Sequence, residues 1–182
     1  MNRLIFTIII YLIIVNLSKG YIRYYPSIPV YPNNYNELKL VKNLITNRTK
    51  SDISYFYLTN KSILAAFKAY VNESEEYLGK ILRSQNNIIF FFKYTINRRR
   101  PWQLAGGVKP IDISTAKTPA FPAGHAYQAY LLAKYLSKKY PQKRELFMKI
   151  ALRCDDCRVK AGLHYPSDGI FARQLVDYFN NF

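Results

Sequence analysis

From residue 37 onward the chain has mostly the hydrophobic pattern of α-helices, because its apolar residues recur every three or four positions. A first stripe starts at Leu38, and a second lies on one long segment that ends before Pro101. The members of the second stripe are Leu78, Ile81, Leu82, Gln85, Ile89 and Phe92. Alternating patterns typical of β-strands are scarce, so we expect an all-α fold.

The C-terminal half predicts three further helices and one long loop. Residues 124–139 form a helix that Pro141 stops. One face of the next helix carries Phe147, Ile150, Ala151, Cys154 and Arg158. Pro166 suits the first position of a last helix that continues to about Asn180. The segment 101–122 is rich in glycine and proline and is predicted to be a loop.

Residues 1–20 have the pattern of a secretory signal peptide. A single cation, Arg3, precedes an apolar run at 4–17, and small residues suit cleavage after Gly20. The fourteen residues of the run would span about 21 Å as a helix, less than a hydrocarbon core of about 30 Å. A cleaved signal is therefore favoured over an uncleaved membrane anchor, and both over a buried core helix. Either of the first two predicts a secretory-pathway protein that is secreted, lumenal or anchored through residues 4–17.

The rest of the chain is predicted to be an arm followed by one domain. Residues 21–36 contain three prolines at intervals of three, which favours an extended arm. The arm is either a tether or a segment packed on the domain through its tyrosines. Residues 37–182 then form a single helical domain. Acceptor sequons at Asn47, Asn60 and Asn72 agree weakly with a secretory route.

Composition narrows the class of partner. Hydrophobic residues make up 49% of the 182 residues and charged residues 21%, which is typical of a globular domain and excludes a disordered chain. The 27 Lys and Arg residues against 11 Asp and Glu residues give a net charge of +16. This excess favours anionic partners, namely phosphates, nucleic acid or acidic membranes. No nucleic-acid-binding module is recognisable, so we expect no nucleic-acid partner.

Three short segments at predicted helix ends carry candidate chemistry. The only two histidines, His125 and His164, lie at helix N-termini, where backbone N–H groups favour bound anions. Asp168 follows His164 by four positions and could accept a proton from one imidazole nitrogen, leaving the other as a nucleophile. The remaining candidates offer cationic donors or close backbone approach to a phosphate: Lys93, Arg100, Arg158 and Gly124. Taken singly, the run 98–100 would be an ordinary solvated charge run.

In this order the segments resemble the motifs of the type-2 phosphatidic acid phosphatase superfamily, which includes class A acid phosphatases and vanadium haloperoxidases. The family pattern is Lys-x6-Arg-Pro, then Pro-Ser-Gly-His, then Ser-Arg-x5-His-x3-Asp. The first motif matches from Lys93 to Pro101. The second and third match with Ala123 and Cys157 in place of the family serines. The resemblance covers residues 93–168, which is under half of the chain.

The resemblance implies a helical bundle of the acid phosphatase/haloperoxidase type, with the active site between helices, in a soluble acid-phosphatase-like member. It implies that His164 attacks phosphorus, that Asp168 orients it, and that His125 protonates the leaving oxygen. The groups implied to hold the phosphate, with no metal and no other cofactor, are Lys93, Arg100, Arg158 and the amide of Gly124. The substrate would be a phosphorylated small molecule or lipid, and the oligomeric state is left open.

Two alternatives stay open beside this metal-independent phosphatase. One is a vanadium-dependent haloperoxidase of the same fold, although such enzymes are generally much larger. The other is a catalytically degenerate protein that binds anions or membrane surfaces. Ala123 lacks a hydroxyl donor, and the thiol of Cys157 is a weaker one. We therefore expect lower activity or an altered anion preference.

Cys154 and Cys157 form a pair whose chemistry the sequence constrains only in part. A zinc site needs about four ligands, and neither histidine has the spacing of a zinc finger. A redox pair would normally lie in a βαβ context, which is absent. A disulfide is possible in an oxidising compartment, but a buried thiol pair is favoured.

Overall fold

The computed structural model of the protein describes residues 28–180, which contain eight α-helices and no strand. The helices are α1 (Asn34–Thr46), α2 (Lys50–Asn60), α3 (Leu64–Phe67), α4 (Glu75–Ser84), α5 (Asn86–Ile96), α6 (Gly124–Lys139), α7 (Arg144–Lys160) and α8 (Pro166–Phe179). Short 3₁₀ turns occupy Lys68–Tyr70, Pro101–Gln103 and Pro141–Lys143. The all-α prediction is confirmed. The predicted signal or anchor lies outside the described residues.

Helix α6 is the centre of the bundle and has the predicted bounds. It packs mainly against α7 and also against α8. Its small residues Ala126, Ala129 and Ala133 are buried, and their size lets neighbouring helices approach closely. Leu132 and Leu136 fill the remaining space and are fully buried in the main hydrophobic core. No helix within residues 28–180 is both long enough and apolar enough to cross a bilayer.

The long helical segment predicted before Pro101 is two helices, which corrects the sequence interpretation. Helix α4 ends at Ser84, whose hydroxyl donates to the carbonyl of Ile81 at 2.8 Å. Such a local hydrogen bond competes with continuation of a helix. Gln85 lies between α4 and α5 and accepts from the Tyr127 hydroxyl at 3.0 Å. The apolar stripe still continues across this break, because both helices supply residues to the same core.

The described part of the arm packs on the domain. The amide of Ile28 donates to the carbonyl of Ile96 at 3.1 Å, and the ring of Tyr31 lies 5.6 Å from that of Phe121. Helix α1 begins at Asn34, so residues 34–36 of the predicted arm are helical. The reason is the Asn33 side chain, which accepts from two backbone amides of the first turn and caps the helix.

Candidate active site

Four helix ends bring the candidate residues into one cluster around His164. Lys93 lies in the last turn of α5, and Arg158 lies in the last turn of α7. His125 lies in the first turn of α6, and His164 lies just before α8. Asn97 ends α5 with φ 52° and ψ 48°, a left-handed conformation that asparagine tolerates better than most residues. This turn redirects the chain and leads the following arginines back toward the bundle.

His164 is held by Asp168 in a single tautomer. The Nδ1 atom lies 3.0 Å from Asp168 Oδ2, which also accepts from the backbone amide of Tyr165 at 2.9 Å. The Nε2 atom lies 3.1 Å from Nη1 of Arg100. Because a guanidinium can only donate, Nε2 accepts here and the ring proton is on Nδ1. The lone pair of Nε2 therefore faces the cationic cluster.

Backbone carbonyls position the two cations nearest to His164. Lys93 is buried, and its Nζ donates to the carbonyl of Pro119 at 2.7 Å. Arg100 is also buried and donates through Nε to the carbonyl of Thr118 at 2.7 Å. Its Nη1 donates to the carbonyl of Leu163 at 2.9 Å as well as to the imidazole. The loop after Pro101 thus fixes both cations without neutralising either charge.

Asn60, at the end of α2, links Arg158 to His125. Its side-chain oxygen accepts from Nη1 of Arg158 at 2.6 Å and from the Thr115 hydroxyl at 2.7 Å. Its backbone carbonyl lies 3.0 Å from Nε2 of His125, so that nitrogen carries the donated proton. Arg158 also donates through Nη2 to Thr115 at 3.0 Å, but its buried Nε has no hydrogen-bond partner among the described residues 28–180.

Asn60 is a member of this site that the sequence pattern does not predict. Its partners Arg158 and His125 lie 98 and 65 positions away along the chain, so no local pattern connects them. In the sequence Asn60 stands out only as a sequon, but it is 5% exposed and its amide nitrogen donates to Asp112 at 2.7 Å. The folded structure therefore leaves this sequon inaccessible.

Burial lowers the pKa of every titratable cation of the cluster, and the charges of neighbouring cations add to this effect for all of them except Arg158. Burial, followed by the charges of nearby cations, holds the pKa of His164 well below its usual range. Burial and Arg158 lower the pKa of His125 to about 3. Burial also lowers the pKa of Lys93 well below its usual range, that of Arg100 to about 9 and that of Arg158 to about 10. Both imidazoles are therefore neutral at pH 7 in the absence of an anion.

The positions that differ from the family pattern lie beside this cluster. Ala123 precedes α6 and offers no side-chain cap to the N–H groups of its first turn. Gly124 begins the helix, and a Cβ there would lie 3.8 Å from Cε of Lys93, which is ordinary contact. The thiol of Cys157 donates to the carbonyl of Cys154 at 3.2 Å, so it bonds within its own helix.

The two cysteines are free and buried, which confirms the predicted thiol pair. Burial raises the pKa of Cys154 to about 12 and that of Cys157 to about 11. Thiols with such pKa values are unreactive at neutral pH. Within residues 28–180 no group of three or more histidine, cysteine or acidic residues is placed to hold a metal ion.

The bundle has the fold of a solved PAP2-type phosphatase, which confirms the helical-bundle fold that the motifs imply. A solved structure with this fold is the crystal structure of the first transmembrane PAP2 type phosphatidylglycerolphosphate phosphatase from Bacillus subtilis. The TM-score is 0.55 and the sequence identity 17%, over 98% of this chain and 96% of that one. No protein-family model matches the chain, and no curated protein matches its sequence. The acid-phosphatase-like subtype stays a prediction.

Proposed function

We propose that the protein is a phosphate-ester hydrolase that forms a phosphohistidine on Nε2 of His164. The observation that carries the proposal is the environment of this ring, because Asp168 holds the proton on Nδ1 and the buried Arg100 donates to the other nitrogen. A neutral imidazole with a directed lone pair is a competent nucleophile. The nearby positive charge would stabilise the phosphoryl oxygens as the transition state forms.

Three cations and the N-terminus of α6 would hold the phosphate. The unpartnered Nε of Arg158 is a buried donor that an anion oxygen could satisfy. Arg100 now donates to Nε2 of His164, and binding of a phosphate would transfer that donor to an oxygen and release the nucleophile. Lys93 and the amide of Gly124 complete the set. The lysine and arginine charges replace a metal ion in this role, and no other cofactor is required.

His125 would serve as the proton donor to the leaving oxygen. Substrate binding brings negative charge beside its ring and raises its pKa, so the ring gains a proton as the ester binds. The Nε2 of His164 attacks phosphorus, the bond to the leaving oxygen breaks, and His125 protonates that oxygen. His125 then takes a proton from water, which attacks the phosphohistidine and releases inorganic phosphate. The bond from Nε2 of His125 to the carbonyl of Asn60 keeps the ring in place between these steps.

We propose phosphomonoesters as the substrate class, with phosphorylated small molecules and lipids both included. The bundle resembles an enzyme named for phosphatidylglycerolphosphate, which makes lipid phosphates one arm of the test. Ala123 and Cys157 provide no hydroxyl to the phosphate, because the first has none and the second bonds to its own helix. We therefore expect slower turnover than in a member with both serines.

A phosphate-release panel tests this proposal. An aryl phosphate, a glycerol phosphate and phosphatidylglycerolphosphate in detergent would each be assayed with and without a chelator and with vanadate. We expect hydrolysis that survives the chelator and is inhibited by vanadate. Lys93→Met should abolish it, whereas Lys149→Met, at an exposed position on α7, should not. Absence of phosphate release, or halide oxidation in the presence of vanadate, would overturn the proposal.

A further inference from the structure

Arg98 is the most enclosed cation of the molecule's active-site region, although it belongs to a run of three arginines that looks solvated in the sequence. Its side chain is 0% exposed. The guanidinium lies between two aromatic rings, 4.1 Å from the centroid of Tyr31 and 3.9 Å from that of Tyr165. Stacking of this kind restricts the plane of an arginine and shields it from water.

The edge of this guanidinium contacts both α1 and α8. Its Nη1 donates to Oδ1 of Asp168 at 2.6 Å and to the Ser167 hydroxyl at 2.8 Å. Its Nη2 donates to Oε2 of Glu37 at 2.7 Å, and its Nε donates to Oδ1 of Asn34 at 2.9 Å. One side chain therefore ties the first helix of the domain to the start of the helix that follows His164.

The carboxylate of Asp168 is consequently fixed at both oxygens. Its Oδ2 is occupied by His164 and the amide of Tyr165, while Arg98 holds its Oδ1. With both oxygens engaged, the carboxylate cannot rotate, and the acceptor that faces Nδ1 of His164 stays in one position. We propose that Arg98 is a positioning residue, which sets the tautomer and orientation of the nucleophilic imidazole through Asp168. This inference rests on the proposed function of His164.

Glu37 on α1 contacts both Arg98 and the start of α8. It accepts from the backbone amide of Ser167 at 2.9 Å and from the hydroxyl of the same residue at 2.6 Å. The carboxylate thereby anchors the first turn of α8, where its charge is favourable. It also balances Arg98, so that Asp168 need not supply all of the compensating charge. Helix α1 thus controls the catalytic geometry without contacting His164.

The test compares Arg98→Lys with a control, Arg99→Lys, at the exposed neighbouring position. A lysine keeps the charge but cannot hold Glu37 and Asp168 together. We expect kcat to fall by about 100-fold, the loss typical of a small misplacement of a reacting group. KM and inhibition by vanadate should stay within about threefold, because the phosphate-holding cations are untouched. Nitrogen NMR of His164 in the empty protein should change from a single Nδ1–H tautomer to a mixture.

A purely structural role predicts a different result. In that case Arg98→Lys would lower the melting temperature, while the folded fraction would keep its kcat and its tautomer, and the proposal would be overturned. If Arg98→Lys does not fold, Glu37→Gln replaces it, because this variant leaves the contact to Asp168 but weakens the anchor on Arg98. For Glu37→Gln we then expect a smaller fall in kcat and a smaller change toward mixed tautomers. An unchanged kcat and tautomer would reject the proposal. The tautomer is measured without substrate, so a wild-type protein that releases no phosphate would reject the proposed function and still decide the role of Arg98.

Discussion

His164 and His125 lie in one cationic cluster but face opposite kinds of partner. The Nε2 of His164 accepts from Arg100, whereas the Nε2 of His125 faces the carbonyl of Asn60 and must donate. The two neutral rings therefore carry their protons on different nitrogens. This difference suits one ring to attack and the other to transfer a proton.

Substitution of each histidine should separate these two roles. His164→Ala should abolish both hydrolysis and the covalent intermediate. His125→Ala removes only the acid, and general acid catalysis contributes about 10²–10⁴-fold. The rate of hydrolysis of an aryl phosphate, which has a good leaving group, should fall little in this variant. The rate for glycerol phosphate should fall by nearly the whole factor. Steady-state kinetics on both esters measure this, and equal proportional losses that follow unfolding would contradict the assignment.

Asn60 should matter for both stability and anion binding. Asn60→Ala leaves the Arg158 guanidinium and the Thr115 hydroxyl without a buried acceptor, which costs about 1–3 kcal/mol of unfolding free energy. Inhibition by vanadate should weaken as well, because Arg158 loses its orientation. Urea denaturation and inhibition constants measure the two effects. Asn47→Ala, at an exposed helix cap, is the matched control, and equal behaviour of the two variants would exclude a role for Asn60.

At the scale of elements, the sequence predicts helices well where local chemistry decides their ends. Helix α6 has its predicted bounds because it begins just after Pro122 and Ala123, and because Pro141 prevents it from continuing. The break at Gln85 is not visible in the hydrophobic pattern, because the apolar stripe continues through it. The hydrogen bond of the Ser84 hydroxyl and the contact of Gln85 with Tyr127 mark the break. The sequence pattern likewise does not predict the burial of Arg98 and Arg100. They are separated by one residue, but the turn at Asn97 and partners distant in sequence decide that both are buried.

The segment after Arg100 should be sensitive to one glycine. A Cβ on Gly107 would overlap the carbonyl oxygen of Pro101 and would lie 2.9 Å from that of Leu104. These are backbone atoms, so Gly107→Ala must shift the loop and should destabilise the fold by about 1–3 kcal/mol. Activity should fall too, because this loop orients Arg100.

Gly79→Ala is the control for that substitution. Its Cβ would lie 3.0 Å from the mobile end of the Arg83 side chain, which can move aside. Within α4 the change should be neutral or stabilise by about 0.5–1 kcal/mol. Thermal denaturation measures the change in stability of both variants. An equal change at the two glycines would contradict the steric argument.

Across the whole molecule, the site concentrates positive charge that burial makes unfavourable. Lys93, Arg100 and Arg158 all have lowered pKa values, and so do both histidines. An anion in the cluster should relieve this repulsion. The sequence motifs predict the members of the cluster. They do not predict the carbonyls of Thr118 and Pro119 or the Asn60 side chain that orient these members, because the loop after Pro101 and α2 meet only in the folded bundle.

Stability should therefore depend on pH and phosphate together. The folded pKa of His125 is about 3 against an ordinary value of 6.5, so the unfolded chain binds a proton more readily. The stability that depends on neutral histidine is complete above about pH 6.5 and is lost as pH falls toward 3. Phosphate favours the protonated ring and should reduce this loss. Melting temperatures between pH 7 and 4, with and without phosphate, test this. His125→Asn should make the phosphate-free curve less steep, and the buried His164, whose pKa is lowered as well, should account for part of the remaining slope.

The covalent intermediate tests the central claim most directly. The protein would be mixed with a phosphorus-labelled aryl phosphate, quenched in alkali within milliseconds, digested and analysed by mass spectrometry. A phosphohistidine is stable in alkali and labile in acid, so we expect an acid-labile phosphate on the peptide that contains His164. The label should be absent from His164→Ala. An acid-stable phosphate on another residue, or full hydrolysis by His164→Ala, would contradict the mechanism.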